Sequence, residues 1–381
     1  MQNFDFHNPT KILFGDGSIA RLPEVLPPGP VLLLYGGGSI KTNGVYEQVK
    51  AGLGSRKVFE VSGVRPNPTY EKAMEAVELI RRENVGFILA VGGGSVVDSA
   101  KFIAFAAHYP GNPEDILRNR ETVVTSALPF GAVLTLPATG SEMNCYFVIS
   151  KGDEKLSGGN PLLFPQFSIL DPRVTMSLDK RQIGNGVVDA FVHVMEQYLT
   201  YPSEAPLQDR FAESILLTLI EEGPKSLRNP SDYNSRANYM WCATMALSGM
   251  VGSGVPHDWS THAIGHELTA LYGLDHGQTL AIVLPAMMWV MRDEKRTKIN
   301  QYAEKVWDVH DDSDHVQVAI RQTVEFFESM GLPTKLTAYG IKEDVAQKVA
   351  DRLEKRGFTP LGEKGLVTLE KVKEVLRVAA K

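Results

Sequence analysis

The sequence predicts an α/β protein in two parts: a doubly wound parallel sheet, followed by a mostly helical domain. At 381 residues the chain exceeds the roughly 250–300 residues that one hydrophobic core supports. Short apolar runs alternate with helical segments in the first half. In the second half, apolar residues recur at helical spacing.

Five short apolar runs predict the strands of the sheet. Several of them show no alternation of polar and apolar residues, as expected for parallel strands that helices cover on both faces. The runs are Val31–Tyr35, Lys57–Val61, Phe87–Val91, Ala132–Leu136 and Phe167–Leu170.

The second half predicts helices and few strands. We place the change of character near the turn at Asp171 and Pro172 and the segment after it. The predicted domains are therefore residues 1–180 and residues 181–381. Helical spacing is clearest in Gly184–Leu199, Leu207–Leu219, Ser235–Leu247 and Val316–Met330.

Composition excludes several classes of partner. The formal charge is −6 without a block of Lys and Arg, so we expect no binding to nucleic acid or an anionic membrane. The two cysteines are too few for a disulfide framework. The N-terminus has no signal-peptide pattern, and no apolar run approaches the ~20 residues of a membrane span. We expect a cytoplasmic protein with a small-molecule partner.

A glycine-rich turn, Gly92-Gly-Gly-Ser95, follows the predicted strand Phe87–Val91 and precedes a helical segment. Backbone N–H groups at such a turn can hold a phosphate. This predicts a pyrophosphate site at Gly93, Gly94 and Ser95. A capping box between Ser95 and Asp98 is the structural alternative.

A second turn, Tyr35-Gly-Gly-Gly-Ser39-Ile-Lys41, also follows a strand and contains no acidic residue. An acid at this place typically binds the ribose 2′-hydroxyl of NAD, whereas a basic or small polar environment accepts the 2′-phosphate of NADP. We predict that Gly37, Gly38, Ser39 and Lys41 bind NADP(H), with NAD(H) as the alternative cofactor. An ordinary glycine turn is the structural alternative.

A third turn contains Thr139 and Ser141 after the strand Ala132–Leu136. Open α/β sheets bind ligands at the carboxyl ends of their strands, so this turn is predicted to contact the phosphate or the nicotinamide. A capping box between Thr139 and Glu142 is compatible with that role.

Carboxylate and imidazole groups recur at metal-ligand spacing. Asp189 and His193 are four residues apart and share one helix face. Four of the nine histidines lie between residues 257 and 276, with His262 and His266 again four apart and His276 beyond them. Such a donor set suits Zn²⁺ or Fe²⁺. Spacing alone does not choose between His262 and His266.

Together these motifs resemble the iron-containing (group III) alcohol dehydrogenase family, in its branch of NADPH-dependent aldehyde reductases and butanol dehydrogenases. The resemblance runs from Asn8-Pro-Thr-Lys-Ile-Leu-Phe-Gly15 through the glycine turns and Gly186–His193 to His262–Gly277. It implies a Rossmann-like dinucleotide-binding domain and an all-α domain, together the dehydroquinate synthase-like fold. It also implies a homodimer.

The resemblance further implies residue roles. Its four ligands for one divalent metal, zinc or iron, match Asp189, His193, His262 and His276. His266 resembles an active-site histidine near substrate and nicotinamide, and Asp98 resembles the acid beside the nicotinamide.

The expected reaction is hydride transfer between nicotinamide C4 and a small aldehyde or primary alcohol, with the metal polarising the carbonyl oxygen. A lyase of the dehydroquinate-synthase type is the rival; it needs a cluster of Lys, Arg and His. We expect the entrance of the site to be apolar, which argues against a lyase with a highly polar substrate. The residues expected there are Met143, Cys145, Phe147 and Trp259. A metal-only hydrolase would leave the three glycine-rich turns without a ligand. A non-enzymatic metal- or nucleotide-binding module is the third alternative, and a lack of cofactor turnover with any carbonyl compound would indicate it.

Overall fold

The computed structural model describes residues 1–119, 122–311, 314–342 and 344–381. The chain forms two compact units, which we call the sheet unit and the helical unit. The predicted division at residue 180 remains a prediction. The sheet unit comprises His7–Leu178 and Pro230–Thr244, and the helical unit comprises Met1–Phe6, Asp179–Asn229 and Met245–Lys381.

A six-stranded parallel sheet forms the centre of the sheet unit, and its strands lie in the order Lys11–Phe14, Phe167–Leu170, Phe130–Leu136, Phe87–Gly93, Val31–Tyr35 and Val58–Val61. The predicted doubly wound sheet is confirmed. The strands are β1 Lys11–Phe14, β2 Val31–Tyr35, β3 Val58–Val61, β4 Phe87–Gly93, β5 Phe130–Leu136, β6 Tyr146–Lys151, β7 Glu154–Gly159 and β8 Phe167–Leu170.

Both faces of this sheet are buried, which explains the apolar runs without alternation. Along β2, Leu33 and Tyr35 pack in one core cluster with the 3₁₀ segment Ser18–Glu24. Leu32 and Leu34 belong to a second cluster on the opposite face. A strand with helices on both sides has no polar face to display.

Strand β1 and the antiparallel pair of β6 and β7 were not predicted from the sequence. Strand β1 is four residues long and lies at the sheet edge, so it carries little periodic signal. The hairpin had a usable signal: Lys151 pairs with Glu154 across the two residues Gly152 and Asp153. A Gly-Asp dipeptide between two β-type runs is a hairpin pattern.

The helices cover the sheet and build the helical unit. Each predicted helical stretch overlaps an observed helix. The helices are α1 Ser39–Thr42, α2 Val45–Leu53, α3 Tyr70–Glu83, α4 Gly94–His108, α5 Asp115–Arg118, α6 Lys180–Tyr198, α7 Pro206–Arg228, α8 Tyr233–Ala246, α9 Ser260–Tyr272, α10 His276–Val290, α11 Arg296–Trp307, α12 His315–Ser329, α13 Val345–Lys355 and α14 Leu369–Ala379. Among the described residues, none of the helices combines the length and the apolar content that crossing a bilayer requires.

Helix α6 is buried on almost every side from Ile183 onward. It begins at a capping box in which Asp179 accepts from the backbone N–H of Gln182 at 2.7 Å. Near its middle, the ring of Phe191 packs on Phe326 and Phe327 of α12 at centroid distances of 5.2 and 5.4 Å. The helix is therefore held rigidly at its start and in its middle.

Phe191→Ala should lower the free energy of unfolding by about 3–5 kcal/mol, because it leaves a cavity among aromatic side chains. Urea unfolding followed by tryptophan fluorescence measures this loss. Leu217→Ala, at a 37 % exposed position of α7, is the control and should cost less than about 1 kcal/mol. Equal losses in the two variants would show that Phe191 does not anchor α6.

Candidate metal and cofactor sites

Helix α6 presents three ionisable side chains along one face, because Asp189, His193 and Glu196 follow one another at helical spacing. All three are buried. Atom Oδ1 of Asp189 lies 3.4 Å from Nδ1 of His193. The face therefore carries a carboxylate and an imidazole side by side, with a second carboxylate one turn further on.

Two more histidines reach Asp189 from the helices α9 and α10. Oδ1 of Asp189 lies 3.9 Å from Nε2 of His262 and 3.6 Å from Nε2 of His276. These three side chains offer ligand atoms that all lie within 4.8 Å of one another. The ring of His193 stacks on that of His262 at 4.6 Å, although His193 is not part of this set of three.

The donor atoms fit a divalent cation. Oδ1 of Asp189, Nδ1 of His193 and Nε2 of His262 are buried and make no hydrogen bond to any described residue. Buried polar atoms normally have partners, and unpaired ones are costly. One carboxylate with imidazoles is the donor set of catalytic zinc and non-haem iron sites.

Burial and charge set the state of the imidazoles. Burial lowers the pKa of His193 to about 4, so this ring is neutral, as a metal ligand must be. Burial also disfavours a charged His262, but the carboxylates of Glu196 and Asp189 outweigh it and raise its pKa to about 9. The pocket is thus built for a positive charge.

Glu196 orients His262. Its Oε2 accepts from Nδ1 of His262, and its Oε1 accepts from the backbone N–H of Thr261 at 2.6 Å. In a neutral ring whose proton is on Nδ1, the lone pair of Nε2 is directed toward Asp189, where a bound cation would take the place of the second proton. This is the carboxylate–histidine arrangement that supports metal ligands in proteins. Glu196 was not predicted as a site residue, although its spacing of seven residues from Asp189 places it on the same helix face.

A buried ion pair supports this arrangement from behind. The backbone N–H of Asp258 donates to the carbonyl of Glu196 at 2.9 Å. Lys295 pairs with the carboxylate of Asp258 and donates to the carbonyl of Leu199 at 2.7 Å. Hydrogen bonds therefore hold both the side chain and the backbone carbonyl of Glu196 in place.

The start of α10 places His276. Asp275 caps this helix and accepts from Arg181 and Asn185, each at 2.7 Å. A Cβ on Gly277 would lie 2.6 Å from the carbonyl oxygen of Asn185, so only glycine permits this approach to α6. His266 lies next to this site, its ring 5.3 Å from that of His276 and 6.3 Å from that of His262. Its proposed catalytic role stays a prediction.

In the sheet unit, Gly93 ends β4 and precedes α4, which starts at Gly94 without a side-chain cap. The capping-box alternative for Ser95 and Asp98 is therefore wrong. The N–H groups of the first turn are not used by a side chain, which suits an anion. A Cβ on Gly94 would lie 2.3 Å from Oγ1 of Thr139, so glycine also permits the close packing of the two turns.

Asp98 binds the third turn instead of capping a helix. Its Oδ1 accepts from the hydroxyl of Ser141 at 2.6 Å, and its Oδ2 accepts from the backbone N–H of Val148 at 2.8 Å. The capping box between Thr139 and Glu142 is also not formed. Glu142 is buried and accepts from the hydroxyl of Thr244 at 2.6 Å.

The second turn holds Gly38 at φ +106°, directly before Ser39 at the start of α1. An added Cβ on Gly37 or Gly38 would meet nothing within 4 Å, so the turn is open to a ligand. The ammonium of Lys41 lies over the rings of Tyr35 and Tyr46 at 5.3 and 5.0 Å.

An acidic residue that was not predicted from the sequence, Glu60, lies near this turn on the neighbouring strand β3. Glu60 accepts from the hydroxyls of Tyr35 at 3.1 Å and Tyr46 at 2.8 Å, and from Lys50 at 3.3 Å. Its carboxylate is thus already occupied by protein donors.

The chain belongs to the iron-containing alcohol dehydrogenase family. The family model described as "Iron-containing alcohol dehydrogenase" matches residues 9–172. The model described as "Fe-containing alcohol dehydrogenase family, C-terminal" matches residues 184–379. The predicted family and fold class are confirmed.

The NADPH-dependent aldehyde reductase YqhD of Escherichia coli (strain K12) is 52% identical over 100% of both chains. A crystal structure of E. coli K-12 YqhD superimposes with a TM-score of 0.97, at 51% identity over 99% of each chain. The structure of NADH-dependent butanol dehydrogenase A from Thermotoga maritima gives a TM-score of 0.95, at 38% identity over 100% of this chain and 99% of that one.

Glu196→Gln should weaken metal binding by about 10–100-fold, since the imidazole of His262 loses the charge that fixes its tautomer. Competition with a chromophoric chelator measures the affinity for Zn²⁺ and Fe²⁺. Glu213→Gln is the control, because that carboxylate accepts from Tyr198 and Gln301 and from none of the proposed ligands. Wild-type affinity in Glu196→Gln would remove Glu196 from the site.

Proposed function

We propose that the protein is a metal-dependent NADP(H) alcohol dehydrogenase or aldehyde reductase. It transfers hydride between nicotinamide C4 and a small aldehyde or primary alcohol. The convergence of buried donor atoms around Oδ1 of Asp189, in a chain of this family, carries the proposal.

Asp189, His193, His262 and His276 would hold the metal. A bound divalent cation supplies a Lewis acid that polarises a carbonyl oxygen and stabilises the alkoxide. Glu196 keeps Nε2 of His262 available, and burial keeps His193 neutral. A ring nitrogen of His266, which lies beside these ligands, would hold the proton that the product oxygen receives.

The wall of the metal pocket is partly apolar. Trp259 lies in the left-handed region, at φ +62°, and its ring is 5.5 Å from that of His262 and 6.3 Å from that of His193. This favours an uncharged substrate such as a simple aldehyde. The expected apolar mouth is smaller than the sequence suggested, since Phe147 and Cys145 belong to a core cluster of the sheet unit.

NADP(H) is the preferred cofactor in this proposal. Ser39 and Lys41 would bind the 2′-phosphate, while Gly93, Gly94 and Ser95 would bind the pyrophosphate. Glu60, engaged by two hydroxyls and a lysine, is not free to select the 2′-hydroxyl of NAD. Relatives named for NADPH and for NADH both occur, so NAD(H) is the competing cofactor to test.

We further propose that the enzyme is a cytoplasmic homodimer with zinc or iron as its metal. The family resemblance supports the dimer. The two cysteines are buried and not joined in a disulfide, which suits a reducing compartment. The donor set admits both metals.

Asp189→Ala should abolish bound metal and lower turnover by on the order of 10³-fold, because Lewis-acid stabilisation is worth several kcal/mol. Turnover is measured as NADPH oxidation with butanal, and the metal content is measured on the same samples. The samples are the protein as purified, the protein after chelation, and the chelated protein resupplied with Zn²⁺ or Fe²⁺. Asp179→Asn is the control on the same helix, since asparagine caps helices as well as aspartate does. Full activity in chelated protein would overturn the mechanism.

Ser39→Asp should shift the ratio of kcat/KM for NADPH and NADH toward NADH by about tenfold or more, since a carboxylate repels the 2′-phosphate and accepts from a 2′-hydroxyl. Initial rates with each cofactor measure the ratio. Ser39→Asn has nearly the same shape without the charge and should shift the ratio much less. An equal ratio of kcat/KM for NADPH and NADH in the two variants would show that the 2′-phosphate does not bind at Ser39.

A further inference from the structure

Lys101 is a lysine of α4 with no exposed surface. Its Nζ donates to Oγ of Ser141 at 2.8 Å, to Oδ1 of Asn144 at 2.8 Å and to the carbonyl of Tyr146 at 2.7 Å. An ammonium has three protons, and each finds one acceptor. Burying a charge costs several kcal/mol unless it is fully hydrogen-bonded, so such a group is retained only where it is well satisfied.

The hydrogen bonds run in one direction from Lys101 to Asp98. Ser141 accepts from Lys101 and donates its single proton to Oδ1 of Asp98 at 2.6 Å. Asp98 lies on α4 three residues before Lys101, so the network ties the third turn to one face of that helix. With its proton committed to Asp98, the hydroxyl of Ser141 can only accept from a ligand.

The third turn also has hydrogen bonds of its own. Nδ2 of Asn144 donates to the carbonyl of Gly140 at 2.9 Å, and the N–H of Tyr146 donates to Oδ1 of Asn144 at 2.9 Å. These bonds do not involve Lys101. Lys101 therefore connects a turn that is already formed to the helix that follows the glycine turn at Gly93.

We propose that Lys101 is a positioning residue of the cofactor site, which fixes Ser141 and the carboxylate of Asp98 in the arrangement that receives the nicotinamide half of NADPH. The inference rests on the proposed function and deepens it. A Ser141 hydroxyl that can only accept, beside the carboxylate oxygens of Asp98, suits the N–H groups of a carboxamide. It does not suit a phosphate.

The charge on Lys101 is sensitive to pH. Burial lowers its pKa to about 8, against the opposing fields of Asp98, Cys145 and Glu142. Burial raises the pKa of Asp98, and the charges of Lys101 and Lys155 and the hydrogen bonds from Ser141 and Val148 oppose that shift. The ammonium is present below the pKa of Lys101 and is lost above it. A neutral amine has two N–H donors for three acceptors, so one of the three anchoring bonds breaks as the pH rises through about 8.

Calorimetric titration of the full-length protein between pH 6.5 and 9.5 tests the role. The ligands are NADPH and adenosine 2′,5′-bisphosphate, which lacks the nicotinamide half. In the wild-type protein the Kd for NADPH should rise about tenfold from pH 7 to pH 9, the effect of about one lost hydrogen bond to a charged group. The Kd of the bisphosphate should stay nearly constant.

Lys101→Met removes the charge and all three donors while keeping an unbranched side chain. NADPH should bind this variant about tenfold more weakly at pH 7, with no further loss up to pH 9. Ser99→Ala is the control, because that buried hydroxyl of α4 donates only to the carbonyl of Ser95 at 2.9 Å. It should match the wild-type protein.

Equal Kd values for NADPH in the wild-type protein and Lys101→Met at every pH would overturn the proposal. If the variant does not fold, the wild-type data decide alone: parallel profiles for the two ligands contradict a role at the nicotinamide half. Binding of neither ligand to wild-type protein at any pH would instead defeat the proposed cofactor.

Discussion

The carboxylate of Asp189 is the group on which the helical unit depends. It is 3 % exposed, sits in a helix buried on almost every side, and its Oδ1 has no hydrogen-bond donor among the described residues. Such a group is tolerated only where a positive charge compensates it. The surrounding imidazoles, the close approach at Gly277 and the orientation of His262 by Glu196 all act to supply a place for that charge.

A second buried charge performs a comparable task in the sheet unit. Lys101 has three acceptors from one turn, whereas Asp189 lacks a donor. A buried ion that has all its hydrogen-bond partners fixes the chain around it. A buried ion that lacks them is stabilised only when a ligand binds. A buried charge with all its partners present is therefore typical of a positioning residue, and one without a partner is typical of a ligand-binding residue.

Much of the fold and part of the site could be predicted from the sequence, because they follow from local periodicity. The five strands β2, β3, β4, β5 and β8 and the pairing of Asp189 with His193 on one helix face are of this kind. Glu196 lay within the same periodic stretch and could have been found. The choice of His262 over His266 could not, since it depends on a carboxylate that meets the ring from 66 residues away.

The capping-box alternatives failed for the same reason. A serine three residues before an aspartate is a local pattern, but Asp98 binds Ser141, 43 residues further along the chain. A buried carboxylate takes the strongest set of donors that the tertiary structure offers, and a hydroxyl together with a backbone N–H exceeds one helix cap. Glycine turns are similarly ambiguous, since Gly94 is required by packing against Thr139 whether or not a phosphate binds. Buried ionisable groups, with their partners counted, therefore discriminate function from structure better than glycines do.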